Sequence, residues 1–181
     1  MDLINQVLDE VNTVMHKVDE KQIDEAKTLI DKNKRIFILG SGRSGLIAKS
    51  FAMRLMQIGY KVFVIGETIT PSIQPGDILV SMSGSGKTSQ VIELTKKASQ
   101  NKVKVLGVTS NPDSPLAKLS DKYLIIPGTT KDSSNGVKSI QLLSSLFDQA
   151  AHITLDILTL KIARRDHISN RSARNTHSNM E

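Results

Sequence analysis

Apolar residues recur every three or four positions at the start of the chain, as they do on one face of an α-helix. The members of this stripe are Leu3, Ile4, Val7, Leu8, Val11, Val14, Met15 and Val18. A shorter stripe of the same period consists of Ile23, Ala26, Leu29 and Ile30. We therefore predict N-terminal helices within residues 1–31 that pack one face against the rest of the molecule.

The pattern then changes to short runs of apolar, often β-branched residues, bounded by Gly, Pro, Ser or Asp. Five such runs lie at 35–39, 61–65, 78–82, 103–108 and 123–126. Runs of this kind are typical of strands in a parallel sheet that is covered on both faces. Helical patterns at Ser44–Ile58 and Thr88–Ser99 lie between runs, and a longer one at Val137–Ala163 follows the last run. The alternation predicts a doubly wound α/β fold with about five parallel strands.

The length of 181 residues suits one domain with a single sizeable core. We expect this domain to span residues 1–181, with its α/β core at 35–163. Residues 128–136 (GTTKDSSNG) carry the composition of a loop. Residues 164–181 show no clear periodicity and are predicted to form a tail.

Composition excludes several classes of site and location. The chain has no cysteine, so it has no disulfide, no thiolate zinc site and no cysteine nucleophile. No His, Asp or Glu cluster has the spacing of metal ligands, and we predict no metal site. No apolar run approaches the ~20 residues of a membrane span, and the first ten residues lack the layout of a signal peptide. We expect a cytoplasmic protein.

The formal net charge is +6, and five basic against two acidic residues lie after residue 160. Nucleic-acid binding is disfavoured because aromatic residues make up only 3% of the chain and leave little to stack on bases. We interpret the basic tail as solvated or in contact with a partner subunit. The positive balance favours anionic substrates.

Two predicted strands run into nearly the same loop, G-S-G-[RK]-[ST], and a predicted helix follows each loop. Glycine lets a ligand approach the backbone, while the free N–H groups and dipole of a helix start attract anions. Because parallel strands end at the same sheet edge, we predict a phosphate-binding site there. Its candidate residues are Ser41, Arg43 and Ser44 in the first loop and Ser83, Gly84, Ser85, Gly86, Lys87 and Thr88 in the second.

A dinucleotide site is the alternative for the first loop. Gly40, Gly42 and Gly45 fit G-x-G-x-x-G, and Glu67 follows at the distance of a ribose-binding acid. This alternative leaves the hydroxyl-rich second loop unexplained. A Walker A loop is excluded, because the glycine it requires is replaced by Ser81.

Candidate acids and bases at this edge are few. Glu67 follows a predicted strand end, and Asp148 lies among apolar residues of a predicted helix. A half-buried carboxylate such as Asp148 is either paired structurally or raised in pKa for proton transfer. His152 follows Asp148 by one helical turn and could pair with it, and His177 lies in the tail.

Several segments, in order along the chain, resemble the 6-phospho-3-hexuloisomerase family of the SIS (sugar isomerase) fold. They are 37–56 (FILGSGRSGLIAKSFAMRLM), 66–71 (GETITP), 83–88 (SGSGKT), 128–141 (GTTKDSSNGVKSIQ), 145–149 (SLFDQ) and 177–181 (HSNME). The resemblance covers almost the whole chain. It implies a three-layer αβα sandwich, homo-oligomers (dimers or tetramers) with shared active sites, and no cofactor.

The resemblance also implies roles for individual residues. Ser44 and the second loop would hold a sugar phosphate, Asp148 would accept the proton, and His177 would come from a neighbouring subunit. The implied reaction interconverts 3-hexulose 6-phosphate and fructose 6-phosphate in the ribulose monophosphate route of formaldehyde fixation. The family usually has Glu where this chain has Asp148, and often an acidic residue where it has Lys87.

Two further functions stay open at this point. One is a related isomerase acting on arabinose 5-phosphate or a phosphoheptose, which would share both loops. The other is a non-catalytic phosphosugar sensor. Regulators of that kind usually carry a DNA-binding helix-turn-helix domain, for which the ~30 residues before the first strand are too few.

Overall fold

The computed structural model describes residues 2–129 and 138–180. The helices are α1 (Leu3–Met15), α2 (Glu20–Leu29), α3 (Gly42–Gln57), α4 (Ser89–Gln100), α5 (Pro115–Leu119), α6 (Ser145–Arg165) and α7 (Asn170–Asn175). The strands are β1 (Ile36–Gly40), β2 (Val62–Val64), β3 (Ile78–Met82), β4 (Lys104–Thr109) and β5 (Lys122–Ile125). All five predicted strands are present, and β2 is shorter than the apolar run that predicted it.

The five strands form one parallel sheet in the order β2-β1-β3-β4-β5. Strand order reverses between β1 and β3, because β2 lies on one side of β1 and β3, β4 and β5 follow on the other side. Ligands of open parallel sheets bind beyond the strand ends at such a reversal. The two similar loops follow β1 and β3, so the fold places them at this point.

A hydrophobic core lies on each face of the sheet. On one face, α1, α2, α3 and α6 pack against side chains such as Ile38 and Val80. On the other face, α4 contributes Val91 and Ala98 to a smaller core around Phe37 and Leu79. Successive strand residues therefore point into opposite cores. The architecture is the predicted three-layer αβα sandwich.

The longest predicted helix begins later than its apolar pattern indicates. We predicted it at Val137–Ala163, but α6 starts at Ser145; Val137 lies outside the described residues. Residues 138–144 are not helical, and Leu143 has a φ of 55°, which an α-helix does not tolerate. Residues 139–141 instead bond to Glu10 of α1.

The predicted tail is partly structured. Arg165 ends α6 and donates hydrogen bonds to the carbonyl of Ile30 and the hydroxyl of Tyr60, so this basic residue belongs to the fold. Residues 170–175 form α7, and the hydroxyl of Thr176 bonds the carbonyl of Gln57 at the end of α3. Within residues 2–129 and 138–180, no helix combines the length and apolar character needed to cross a bilayer.

Candidate active site

The two G-S-G loops lie side by side at the carboxyl edge of the sheet. Gly40, the last residue of β1, pairs in register with Met82, the last residue of β3. Each loop leads directly into a helix, α3 after Ser41 and α4 after Thr88. Neither of these N-cap side chains bonds its own helix, so each leaves helix-start N–H groups for a ligand. Two helices therefore begin at neighbouring positions along this edge, and a helix N-terminus attracts anions.

The second loop folds into a compact turn lined with hydroxyl groups. The oxygens of Ser83 and Thr88 are 2.9 Å apart, and the amide of Gly86 donates to Ser83 Oγ at 3.1 Å. Gly86 has a φ of +65°, a conformation that glycine adopts without strain. The Lys87 amide donates to Ser85 Oγ at 3.3 Å. The turn therefore gathers three hydroxyl groups and several backbone amides within six residues, and such groups can bind a phosphate monoester.

The neighbouring strand β4 supports this loop through residues that sequence reasoning missed. The carbonyl of Gly84 accepts hydrogen bonds from the Ser110 hydroxyl at 2.8 Å and the Thr109 hydroxyl at 3.2 Å. Ser114, at the start of α5, packs against Gly86. Polar residues at the end of β4 could have predicted this support. Ligands bind beyond the carboxyl ends of parallel strands, and β4 is one of these strands.

Asp148 lies in the first turn of α6 and is only 4% exposed. Its Oδ2 accepts a hydrogen bond from the Ser144 hydroxyl at 3.1 Å and lies 3.1 Å from Arg43 Nε of the first loop. Its Oδ1 is buried and has no hydrogen-bond partner among residues 2–129 and 138–180. Most buried carboxylate oxygens are hydrogen-bonded, so this oxygen has room to accept a bond from a water or a ligand.

Burial raises the pKa of Asp148 above the ordinary value of 3.8. The Ser144 hydroxyl, the charge of Arg43 and the Ser44 hydroxyl oppose this shift, because each favours the charged form. The net direction is upward. A carboxylate whose pKa is raised toward neutrality is a better proton acceptor than an exposed one.

A cavity of about 370 Å³ adjoins Asp148, within the size range of small-molecule sites. It is lined by Arg43, Ile47, Asp148, Gln149, His152 and Ile153. The spacing of His152 and Asp148 allowed a pair between them, but the two do not pair. The Nε2 of His152 instead lies 3.6 Å from Asp156 Oδ2. The first loop and the start of α6 thus form one wall of a pocket.

Two other predicted site residues lie apart from Asp148. Glu67 is half-exposed and pairs with Lys49 of α3 at 3.3 Å, outside the described lining of the cavity. His177 directly follows Thr176, whose hydroxyl bonds the C-terminal end of α3. Asp148 is contacted by Arg43 in the first turn of α3, at the opposite end of that helix. A helix of this length separates its two ends by roughly 20 Å.

Residues 130–137 and 181, which include the K-D-x-S-N-G segment and Glu181, lie outside the described residues. Gly128, at the near end of that segment, is in close contact with α6. A Cβ at Gly128 would lie 2.6 Å from the Cα of Phe147. This close approach sets the position at which the chain after β5 passes the first turn of α6.

Comparison with known proteins agrees with this geometry. The SIS domain model matches residues 29–153. A 3-hexulose-6-phosphate isomerase from Bacillus subtilis is 35% identical, with 98% of this chain and 97% of that protein covered. A protein of the same name from Mycobacterium gastri is 36% identical over 98% of this chain and 89% of its own.

A solved structure from Methanococcus jannaschii superimposes with a TM-score of 0.85, at 28% identity and with all of both chains covered. For that protein, the crystal structure led to the inference that it is a 3-hexulose-6-phosphate isomerase. The family match covers more than half of the chain and contains both loops and Asp148. The chain therefore belongs to the SIS domain family.

Proposed function

We propose that this chain interconverts D-arabino-hex-3-ulose 6-phosphate and fructose 6-phosphate, the isomerisation that follows formaldehyde fixation in the ribulose monophosphate route. The observation that carries the proposal is Asp148, a buried carboxylate beside Arg43 at the edge of a cavity, with one oxygen that has no hydrogen-bond partner among the described residues. Near-full-length relatives that carry the isomerase name support the same reaction.

The chemistry requires a base, a proton route between two oxygens, and donors for an enediolate. Asp148 takes the proton from the carbon next to the carbonyl and returns it to the neighbouring carbon. Arg43 and Ser44 stabilise the negative charge that develops on the enediol oxygens. Because the base and the donors are side chains of the site, this route uses no cofactor.

The phosphate is held by the second loop, Ser83–Thr88, with Ser41 contributing from the first. The amide and hydroxyl donors of the loop remain bonded to phosphate throughout the reaction, so they contribute uniform binding. Lys87 adds a positive charge in a position where the family often has an acidic residue. A phosphate ester does not cross a bilayer unaided. The proposed function therefore includes a cytoplasmic location for the enzyme.

We also propose that the active protein is a homo-oligomer in which His177 reaches the site of a neighbouring subunit. Within one chain, α3 separates the tail from Asp148. Exposed apolar side chains recur at seven-residue spacing on two packed helices, and burial against a second copy would remove them from water. They are Leu46 and Met53 of α3 and Ile153 and Leu160 of α6.

A coupled assay tests the reaction. With formaldehyde, ribulose 5-phosphate and a hexulose-phosphate synthase supplied, adding this protein is expected to yield fructose 6-phosphate. Calorimetry is expected to show binding of fructose 6-phosphate and none of fructose, because the loops recognise the phosphate. Equal binding of the two sugars, or no product in the coupled assay, would contradict the proposal. Micromolar binding of NAD would instead favour the dinucleotide alternative.

Mixing two inactive variants tests the shared site. Asp148→Asn and His177→Asn chains, unfolded and refolded together, are expected to regain activity that neither shows alone. In a two-fold symmetric dimer, about a quarter of the sites would combine both native side chains. Refolding each variant separately is the control. If the mixture stays as inactive as its components, His177 does not act across subunits.

A further inference from the structure

Glu10 of α1 binds one short segment of the chain through three hydrogen bonds. Its Oε2 accepts from the Ser139 hydroxyl at 2.7 Å and from Gln141 Nε2 at 3.2 Å, and its Oε1 accepts from the amide of Ile140 at 2.8 Å. Partial burial would raise the pKa of Glu10, but these bonds outweigh burial and lower it. Glu10 therefore stays charged, and charged acceptors make the stronger hydrogen bonds.

Among residues 2–129 and 138–180, apolar packing contributes little to holding this segment. Ile140, Leu142 and Leu143 are 52%, 80% and 60% exposed, so their side chains contribute little packing. Leu143 also adopts a left-handed backbone conformation, with a φ of 55°. Side chains other than glycine resist this conformation, and surrounding contacts have to impose it. Glu10 supplies such contacts at the N-terminal side of Leu143.

The segment ends at Ser144, the N-cap residue of α6. Ser144 does not use its hydroxyl to cap the helix, as serine commonly does at this position. The hydroxyl instead donates to Asp148 Oδ2 at 3.1 Å. The carbonyl of Ser144 accepts the amide of Asp148 at 2.9 Å, so α6 sets part of the position of this residue. Residues 139–143 set the direction from which the chain reaches it, and Glu10 of α1 binds three of them.

We infer that Glu10 is a positioning residue for Asp148, because it fixes the segment that delivers the Ser144 hydroxyl to that carboxylate. Only the description of Asp148 as the base rests on the proposed function. Two other charged or titratable groups face the same pocket: Arg43 from α3 contacts Asp148, and His152 lines the cavity one turn further along α6. Asp9, the acidic neighbour of Glu10 on α1, is exposed.

The test measures the Asp148 carboxyl directly, so that it does not depend on turnover. Full-length protein labelled with carbon-13 aspartate is titrated by NMR, and Asp148→Asn assigns the resonance. Ser144 lowers the pKa of Asp148, so Ser144→Ala is expected to raise it. Glu10→Ala is expected to raise it too, and the double variant is expected to show no further rise beyond Ser144→Ala. Glu10→Gln, which keeps one acceptor oxygen, is expected to give a smaller rise.

Kinetics add a second readout. Glu10→Ala is expected to lower kcat by up to about 100-fold, the effect of misplacing a reacting group by ~1 Å. Asp9→Ala removes the same charge from the same helix and is expected to change neither kcat nor the Asp148 pKa. An unchanged Asp148 pKa in folded Glu10→Ala and Glu10→Gln, or a fully additive double variant, would overturn the inference. If the wild-type protein lacks turnover but the pKa moves as described, the proposed function fails and the positioning role stands.

Discussion

Asp148→Asn is expected to lower kcat by at least ~10²-fold, which is the lower end of the contribution that a general base makes to a rate. Asparagine keeps the shape of the side chain and can still accept the Ser144 hydrogen bond, but it cannot take a proton. Thermal stability is expected to change little, because Arg43 is 53% exposed and its charge can return to water. The melting temperature and kcat of the purified variant are the measurements.

Two further variants sharpen this test. Asp156→Asn changes a half-exposed aspartate two turns along the same helix and is expected to leave kcat near the wild-type value. Asp148→Glu introduces the usual residue of the family, and we expect activity to survive where the Asn variant loses it. If Asp148→Asn stays active and Glu67→Gln does not, Glu67 is the base instead.

The acid side of the pH profile reports the same group. Because kcat/KM requires ionised Asp148, it is expected to fall as pH drops through a pKa above 3.8. The folded state binds this proton more tightly than the unfolded state, so the free energy of unfolding falls as pH rises through the same range. Asp148→Asn is expected to remove both dependences. A wild-type profile that stays flat down to pH 3.8 would contradict the assignment.

Gly86→Ala is expected to raise KM for the sugar phosphate by about 100-fold, through the loss of one or two hydrogen bonds to charge at ~1.5–3 kcal/mol each. A methyl group there would overlap the Ser114 side chain and lie 2.7 Å from Thr109 Oγ1. The positive φ of Gly86 adds strain of ~1–2 kcal/mol for any other residue. The loop would have to change its path, and its donors would leave the phosphate.

Two comparisons separate the overlap from the strain. Gly76 has a φ of +89° with open space around it, so Gly76→Ala carries the strain alone and is expected to leave KM unchanged. Gly86→Ala combined with Ser114→Gly removes the overlap with Ser114 but leaves the contact with Thr109 Oγ1, so it is expected to regain part of the affinity. Glycine is tolerated at the helix N-cap that Ser114 occupies. If Gly86→Ala binds the substrate as well as the wild type, the phosphate is held elsewhere.

The sequence was sufficient to predict the five strands, the longer helices and the position of both loops, but not the short helices α5 and α7. Each prediction rests on local features: apolar runs for the strands, and glycine with hydroxyl residues at the start of a helix. The start of α6 could not be predicted in this way. Leu142 and Leu143 continue the apolar pattern of the helix, but the bonds from Glu10 to residues 139–141 draw this segment off the helical path.

The contacts of the candidate site were harder to predict than its residues. Asp148 and His177 were noted in the sequence itself, but their roles came from the family resemblance and stay predictions. The support that Ser110 and Thr109 give to Gly84 crosses from one strand to the next, so no local pattern contains it. The same is true of Ser144, which was read as an interior residue of the helix it caps.

The two loops lead into helices on opposite faces of the sheet, α3 on the face of Asp148 and α4 on the other. In the proposed assignment, the phosphate is held mainly by the loop between β3 and α4, and the carbonyl end of the sugar lies at α3 and α6. The cavity beside Asp148 is lined by residues of α3 and α6 and by none of the described residues of the second loop. Ile47 and Gln149 therefore offer positions at which the sugar accepted by this scaffold could be altered while its grip on phosphate is retained.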